Sequence, residues 1–285
     1  MLTRRQLLAS ATLPWSLAAA ASSRPTRRLT GMVWQPSART VRPRGDWATL
    51  GIQRLLVQWT AVDNRSFLPG VGLALQPELP DWSRIAAEPW AGEVILGLAG
   101  LHDERSARGA LAQLVVQSRA LRFAADVWPL RVRGWYFPVE ADPGWTPPTD
   151  WFELLAVLPR PLWLSVYDSA NLGADAVARW IERWVPPGVG VFFQDGVGVH
   201  ARTAAVARQY LQVLTRRLGA ARVEVIAEAF RPALEGGFRS ATAEEFLPQL
   251  DAYQDWPILA FDGPHYLSQA LVRDLRAGGV VPDAS

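Results

Sequence analysis

The sequence predicts a closed (β/α)8 barrel, a TIM barrel, on three observations. The chain has 285 residues, which is a usual length for a single barrel of β/α units. Short runs rich in β-branched and aromatic residues alternate with amphipathic segments along most of it. About eight such runs occur, as a closed barrel requires. An open doubly wound sheet would show the same alternation, but no glycine-rich phosphate loop of the nucleotide-binding type supports that alternative.

The predicted strands follow one another in order, and each ends in polar or aromatic residues. They cover residues 29–34, 54–59, 93–99, 133–139, 162–167, 189–194, 223–227 and 258–261. Between them, residues 106–125 repeat apolar positions at helical spacing, Thr149 and Asp150 predict the start of a helix over 151–158, and residues 240–242 predict the start of another before Tyr253. The C-terminal ends of the strands are therefore where functional residues are expected.

The composition indicates one folded domain that does not bind nucleic acid. Hydrophobic residues make up 49% of the chain, so a large core can form. The formal net charge is only +2, and the cations, all of them arginine, form no basic stripe that would neutralise phosphates. Cys is absent, which excludes disulfides, thiolate nucleophiles and Cys-bound metals.

The N-terminus indicates export. Arg4 and Arg5 precede an apolar run over residues 9–21, a pattern typical of a twin-arginine signal peptide. The run contains Pro14 and is shorter than the ~20 apolar residues of a spanning helix, so a membrane anchor is disfavoured. We therefore expect a signal peptide over 1–23, a linker over 24–28, a barrel domain over 29–285, no membrane span after cleavage, and a periplasmic or secreted protein.

Two glutamates at opposite strand ends predict the chemistry. Glu140 follows the fourth predicted strand and Glu228 follows the seventh. Cleavage of a glycosidic bond needs one carboxyl group to protonate the leaving oxygen and a second to attack the anomeric carbon or activate water. An apolar wall at residues 135–137 would raise the pKa of one of them. We therefore predict Glu140 and Glu228 as the catalytic pair.

The other predicted site residues suit a sugar substrate. Aromatic faces stack on pyranose rings, and amides bond hydroxyl groups without adding charge. The expected substrate-binding residues at the strand ends are Gln35, Trp59, Tyr136, Asp142, Tyr167, Gln194, Asp195, Asp262, His265 and Tyr266. By contrast, Trp163, Trp180 and Trp184 are predicted to pack in the core.

Metal and cofactor chemistry are not expected. His102, His200 and His265 are dispersed and show neither H-E-x-x-H nor H-x-H spacing. The G-x-S-x-G elbow of many esterases is also absent from the sequence. We expect no metal site and no cofactor.

Several sequence blocks resemble a family of uncharacterised bacterial barrels that is similar to the large clan of retaining glycoside hydrolases. These blocks occur in order at residues 31–36, 57–60, 134–142, 193–198, 227–230 and 261–267. The resemblance implies that Glu140 is the acid/base and Glu228 the nucleophile, with Gln35, Trp59, Asp195, Asp262 and His265 lining the site. A substrate-assisted reaction, in which Asp142 acts with Glu140 to orient an acetamido group of the substrate, is the alternative.

Two functions of different classes remain open from the sequence. The first is a glycoside hydrolase that cleaves a bacterial exopolysaccharide or envelope glycan, with an oligo- or polysaccharide as its partner. The second is a barrel that binds glycans without cleaving them, in polysaccharide synthesis or secretion. The neutral side chains Gln35, Gln58 and Gln194 favour the second alternative.

Overall fold

The computed structural model describes residues 27–125 and 129–282. The predicted signal peptide and residues 24–26 of the predicted linker lie outside the described residues. Arg27, in the predicted linker, forms an ion pair with Asp251 and a β-bridge with Val280. No helix within the described residues is both long and apolar enough to span a membrane.

Eight parallel strands close into a barrel, which confirms the predicted fold class. We label them β1 to β8 in chain order: Gly31–Trp34, Arg54–Val57, Glu93–Gly97, Val132–Tyr136, Leu162–Val166, Val189–Gln194, Val223–Glu228 and Ile258–Phe261. Each strand pairs with its neighbours in sequence, and β1 pairs with both β2 and β8. The predicted bounds of β6 and β8 coincide with the observed ones.

Helices follow the strands and cover the outside of the barrel. They are α1 to α9 in chain order: Trp82–Ala86, Glu104–Gly109, Leu111–Ala125, Trp151–Ala156, Ala174–Trp184, Ala204–Leu218, Ala243–Tyr253, Gly263–Tyr266 and Gln269–Ala277. The cap predicted before Tyr253 is present, because Thr242 and Glu245 form a capping box at the start of α7.

The segment predicted as one helix over 106–125 forms two helices. Asp103 caps the first one, since its carboxylate accepts a hydrogen bond from the backbone N–H of Ser106 at 2.8 Å, so α2 begins at Glu104. The helix then ends at Gly109, a residue with poor helix propensity, and α3 begins at Leu111. The earlier start places Glu104 close to the end of β3.

Two apolar layers hold the barrel together. Inside it, one side chain from most strands forms a small cluster: Val33, Leu56, Ile95, Tyr136, Phe192, Ile226 and Leu259. A larger cluster packs the outer faces of the strands against the helices. The barrel interior is therefore a packed core, and a site can form only above it, at the ends of the strands.

Short accessory strands extend the C-terminal end of the barrel. A two-stranded antiparallel sheet, Phe230–Pro232 with Phe238–Ser240, follows β7. A four-stranded sheet follows β2 and β3, with its strands at Ala61–Val62, Arg65–Ser66, Ala74–Leu75 and Ala99–Gly100. These additions build up the rim above the packed interior.

Candidate active site

A cavity of about 140 Å³ opens above the packed interior of the barrel. Its apolar wall comes from the strands and their ends, and its polar wall from amides, hydroxyls and two carboxyl groups. The lining residues are Val33, Leu56, Gln58, Glu104, Tyr136, Pro138, Glu140, Ser165, Gln194, Ile226 and Phe261. Of the predicted site residues, the structure brings Tyr136, Glu140 and Gln194 together here.

Glu140 is held in this cavity by the backbone that follows β4. The N–H of the next residue, Ala141, donates to the carbonyl of Ser165 at 2.9 Å, and Ala141 forms a bridge with Val166 of β5. Burial raises the pKa of the Glu140 carboxyl to about 7, while the charge of Arg108 and a hydrogen bond from Gln194 oppose the rise. The group can therefore hold or release a proton near neutral pH.

Glu104 is a second carboxyl group in the same cavity, and it was not among the predicted site residues. Its Oε1 accepts the backbone N–H of Glu140 at 2.9 Å and lies 3.2 Å from Nε of Arg108. Burial, followed by the charge of Glu140, raises the pKa of Glu104 to about 8. The signal in the sequence was an acidic residue in the first turn of the helix that follows β3 and the accessory strand Ala99–Gly100.

Arg108 connects the carboxylate of Glu104 to the backbone of Glu140. Besides its ion pair with Glu104, its Nη2 donates to the backbone carbonyl of Glu140 at 2.8 Å. Its guanidinium lies 5.1 Å from the ring centre of Trp145, which supports it from one side. Glu104, Arg108 and Glu140 therefore form one connected group across the loops after β3 and β4.

Glu228, the last residue of β7, has a buried side chain next to the carboxylate of Asp195. Its Oε2 accepts the backbone N–H of Val199 at 3.2 Å. A Cβ on Gly198 would lie 2.6 Å from the Cβ of Glu228, so only glycine leaves room for this packing. Burial, and next the charge of Asp195, raise the pKa of Glu228 to about 8.

Asp195 lies beneath Glu228 and has no exposed surface. Its carboxylate accepts hydrogen bonds from Gln249 at 2.6 Å, from the hydroxyl of Tyr253 at 3.1 Å, and from the backbone N–H groups of Val197 and Glu228, both at 3.2 Å. Its contact with the site therefore runs through Glu228.

The phenol of Tyr167 is affected by the charges of both predicted catalytic glutamates. Burial raises the pKa of Tyr167, and the charges of Glu228 and Glu140 raise it further. The charges of both carboxyl groups therefore act on the same side chain. Glu140 lines the cavity of about 140 Å³, whereas Glu228 is not part of its wall.

The side chains of three other predicted residues contact neighbouring groups of the protein. The hydroxyl of Tyr136 shares a hydrogen bond of 2.7 Å with Ser165. Both carboxylate oxygens of Asp142 accept backbone N–H groups, from Gly144 at 2.6 Å and from Ser169 at 3.1 Å. Trp59 is buried, and its ring meets His102 edge to face. The two backbone donors fix the orientation of the Asp142 carboxylate and leave about half of its acceptor positions open.

A second cavity, of about 420 Å³, contains the remaining predicted residues. It is lined by Gln35, Ser37, Ala38, Arg39, Phe261, Asp262, His265 and Tyr266. Oδ2 of Asp262 accepts hydrogen bonds from Nδ1 of His265 at 2.9 Å and from the backbone N–H of Gln35 at 3.3 Å. Because Phe261 lines both cavities, they are neighbours at the mouth of the barrel.

Across residues 27–125 and 129–282, no group of three or more His, Cys, Asp or Glu side chains is arranged to hold a metal ion. The chemical groups that the site offers are carboxyls of raised pKa, amides, hydroxyls and aromatic rings.

Comparison with protein sequences does not assign the chain to a family. No protein-family model matches the chain. The uncharacterised protein YbcH of Escherichia coli (strain K12) is 26% identical over 215 residues, which are 64% of this chain and 70% of YbcH.

Comparison with solved structures supports the fold through one of them. A provisionally assigned alpha-L-fucosidase from Bacteroides thetaiotaomicron VPI-5482 matches with a TM-score of 0.64 and 14% identity over 96% of each chain. A chitinase from Chromobacterium violaceum ATCC 12472 has a TM-score of 0.47 and 11% identity, over 87% of this chain and 98% of the chitinase. The similarity to the Bacteroides thetaiotaomicron protein establishes a shared barrel fold.

Proposed function

We propose that this protein is an exported glycoside hydrolase that cleaves a bacterial exopolysaccharide or envelope glycan with a pair of carboxyl groups. One observation carries the proposal. At the C-terminal end of the barrel, Glu140 lines a cavity with amides and hydroxyls, and burial raises its pKa to about 7. A carboxyl group in this state can protonate a glycosidic oxygen at neutral pH.

Glu140 and Glu228 are the proposed catalytic pair, with Glu140 as acid/base and Glu228 as nucleophile. In the first step of this retaining scheme, the Glu228 carboxylate forms a bond to the anomeric carbon while Glu140 protonates the leaving oxygen. Water, deprotonated by Glu140, then releases the sugar from Glu228. The side chain of Gln194 forms a hydrogen bond with the Glu140 carboxyl group and so helps to fix the position of that group.

The two raised pKa values predict the pH dependence but not the roles. In these roles Glu140 must be protonated and Glu228 ionised, which is the less populated of the two singly protonated forms when their pKa values are about 7 and 8. The population of that form still peaks between the two values, so activity should be highest there. Exchanging the two roles leaves that optimum unchanged. Chemical rescue by azide separates them: in a retaining enzyme, rescue of Glu228→Ala gives a product of inverted configuration, and rescue of Glu140→Ala gives a retained one.

Release of reducing ends by the mature protein is the direct test. Bacterial exopolysaccharides and envelope glycans are incubated with the wild type, Glu140→Gln and Glu228→Gln, and with Glu153→Gln, an exposed glutamate on α4, as the control. We expect release by the wild type and the control, and a loss of at least about 100-fold in Glu140→Gln, the usual size of a general-acid contribution. The loss in Glu228→Gln should be at least as large, because that variant lacks the nucleophile. Full activity of Glu228→Gln would exclude it as the nucleophile.

The result also tests the non-catalytic alternative. Gln58, a neutral side chain, lines the cavity, and its Oε1 is buried without a hydrogen-bond partner in the described part of the chain. A sugar hydroxyl would satisfy that oxygen in a binding protein as well as in an enzyme. Binding of glycans with no release by any of the four proteins would therefore identify a glycan-binding barrel.

Location is part of the proposal. The twin-arginine pattern before the apolar run over residues 9–21 supports export to the periplasm or beyond. Fractionation of cells that express the full chain tests this. Replacement of both Arg4 and Arg5 by Lys should keep the protein in the cytoplasm, and unchanged export of that variant would contradict a twin-arginine signal.

A further inference from the structure

The second cavity differs in charge from the first one. Two carboxyl groups, Glu104 and Glu140, line the cavity of about 140 Å³. In the neighbouring cavity of about 420 Å³, two basic side chains, Arg39 and His265, accompany one carboxyl group, that of Asp262. A glycan that crosses both cavities would therefore meet acidic groups first and basic groups next.

Arg39 has no counter-ion in the parts of the chain that the structure describes. The hydrogen bonds and ion pairs of residues 27–125 and 129–282 include none from its guanidinium, and it is an exposed residue on the cavity wall. The carboxylate of Asp262 already pairs with His265, with its Oδ2 at 2.9 Å from Nδ1. The cavity therefore contains one positive charge that no carboxylate of the described residues neutralises.

His265 adds to this positive character. Its hydrogen bond to Asp262 raises its pKa above the ordinary value, while burial and the charge of Arg39 lower it. Since Nδ1 is occupied by Asp262, Nε2 remains as the ring nitrogen that can donate to a ligand. The side chain is about one third exposed, so a bound molecule can reach it.

Asp262 gives an independent indication of a ligand. Its side chain is only 1% exposed, and its Oδ1 is buried with no hydrogen-bond partner in the described residues. A buried carboxylate oxygen without a donor is costly, and a sugar hydroxyl is a suitable donor for it. Phe261 and Tyr266 add aromatic surface to the same cavity.

We propose that this second cavity is a subsite for an acidic sugar, such as a uronic acid, whose carboxylate binds Arg39 and His265 and whose hydroxyl binds Asp262. The inference rests on the proposed glycoside hydrolase function and names the substrate class, an anionic polysaccharide. A planar guanidinium matches a carboxylate in geometry, which is why Arg39 is the main determinant.

Matched glycans provide the test. Uronate-containing bacterial exopolysaccharides are compared with their carboxyl-reduced forms in affinity electrophoresis, with Glu140→Gln as the background so that the glycan stays intact. We expect the acidic form to bind about 10-fold more tightly, the usual worth of one charge-assisted hydrogen bond, and the preference to weaken in 0.5 M salt. Methyl β-glucuronide and methyl β-glucoside, which differ only at C6, repeat the comparison by ligand-observed NMR.

Arg39→Gln tests the cause of the preference. It should remove most of the roughly 10-fold difference between the acidic and the reduced glycan. Arg119→Gln, which removes an exposed arginine on α3, is the matched control and should leave the preference intact. Equal binding of acidic and reduced forms, no binding of any acidic probe, or a preference that survives Arg39→Gln would overturn the proposal.

The assay separates this inference from the proposed hydrolase function. Release of reducing ends from neutral glycans, without any preference for acidic ones, would leave the hydrolase in place and exclude the acidic subsite. Binding that depends on Arg39, with no release by the wild type, would support the subsite and exclude the hydrolase.

Discussion

Replacement of Glu228 by Gln should stabilise the protein at alkaline pH. The side chain is buried beside Asp195, and its pKa rises from 4.5 to about 8. In the unfolded chain the carboxyl ionises near pH 4.5, while in the folded protein it keeps its proton until about pH 8. The stability linked to this proton is therefore complete below pH 4.5 and is lost as pH rises through 8.

The magnitude follows from the difference in pKa. At 1.36 kcal/mol per pH unit, the folded wild type should lose roughly 5 kcal/mol from this one group between pH 4 and pH 9. Gln keeps the shape of the side chain and an oxygen for the N–H of Val199, but it lacks the charge. Allowing about 1 to 2 kcal/mol for the weaker neutral hydrogen bonds, Glu228→Gln should be more stable than the wild type by about 3 kcal/mol at pH 9.

Thermal denaturation of the two proteins at pH 5 and pH 9 measures this effect. A difference of 3 kcal/mol corresponds to about 6 to 12 °C in Tm at this chain length. The melting temperatures should nearly coincide at pH 5 and diverge at pH 9, with Glu228→Gln the higher. Glu153→Gln, at an exposed position on α4, is the control. If the curves of Glu228→Gln and the wild type stay parallel from pH 5 to pH 9, the burial argument is refuted.

Three further changes test other contacts. Burial raises the pKa of Glu104 and of Glu140, and the charge of Arg108 lowers both pKa values. Arg108→Gln should therefore raise both pKa values by about one pH unit, as measured by ¹³C NMR of labelled glutamates. Unchanged pKa values would show that Arg108 does not act on these groups. Thr242→Ala breaks the capping box of α7 and should cost about 1 kcal/mol in urea denaturation, whereas an unchanged midpoint would show that the cap contributes nothing. Gly198→Ala should reduce glycan hydrolysis more than Gly109→Ala does, because only the former crowds Glu228; equal rates would contradict that contact.

Much of the fold could be predicted from the sequence, because the alternation of strands and helices is a local property. The observed β6 and β8 have the predicted bounds, and Thr242 starts α7 as its capping pattern indicates. The helix over 106–125 was less well predicted. The helix starts earlier than predicted because Asp103 acts as its cap. It breaks at Gly109 because glycine has a low helix propensity, and the spacing of apolar residues does not reveal such a break.

The site was only partly predictable for a different reason. Rules for strand ends placed Glu140, Gln194 and Tyr136 at one end of the barrel, where they line the same cavity. They did not show which residue after β3 reaches the same cavity, or that Asp195 is enclosed beneath Glu228. Both facts depend on how side chains from different loops pack against one another.

The sequence by itself therefore determined the barrel fold and showed which end of the barrel carries the carboxyl groups. Both follow from the periodicity of apolar residues and the order of the strands, which can be read directly from the chain. The tertiary structure decided which of those groups meet. Glu104 meets Glu140, and Asp195 meets Glu228, because loops that are far apart in the sequence pack together. Burial then raises the pKa of all four carboxyl groups, and the charge of the partner adds to the rise for Glu104 and for Glu228.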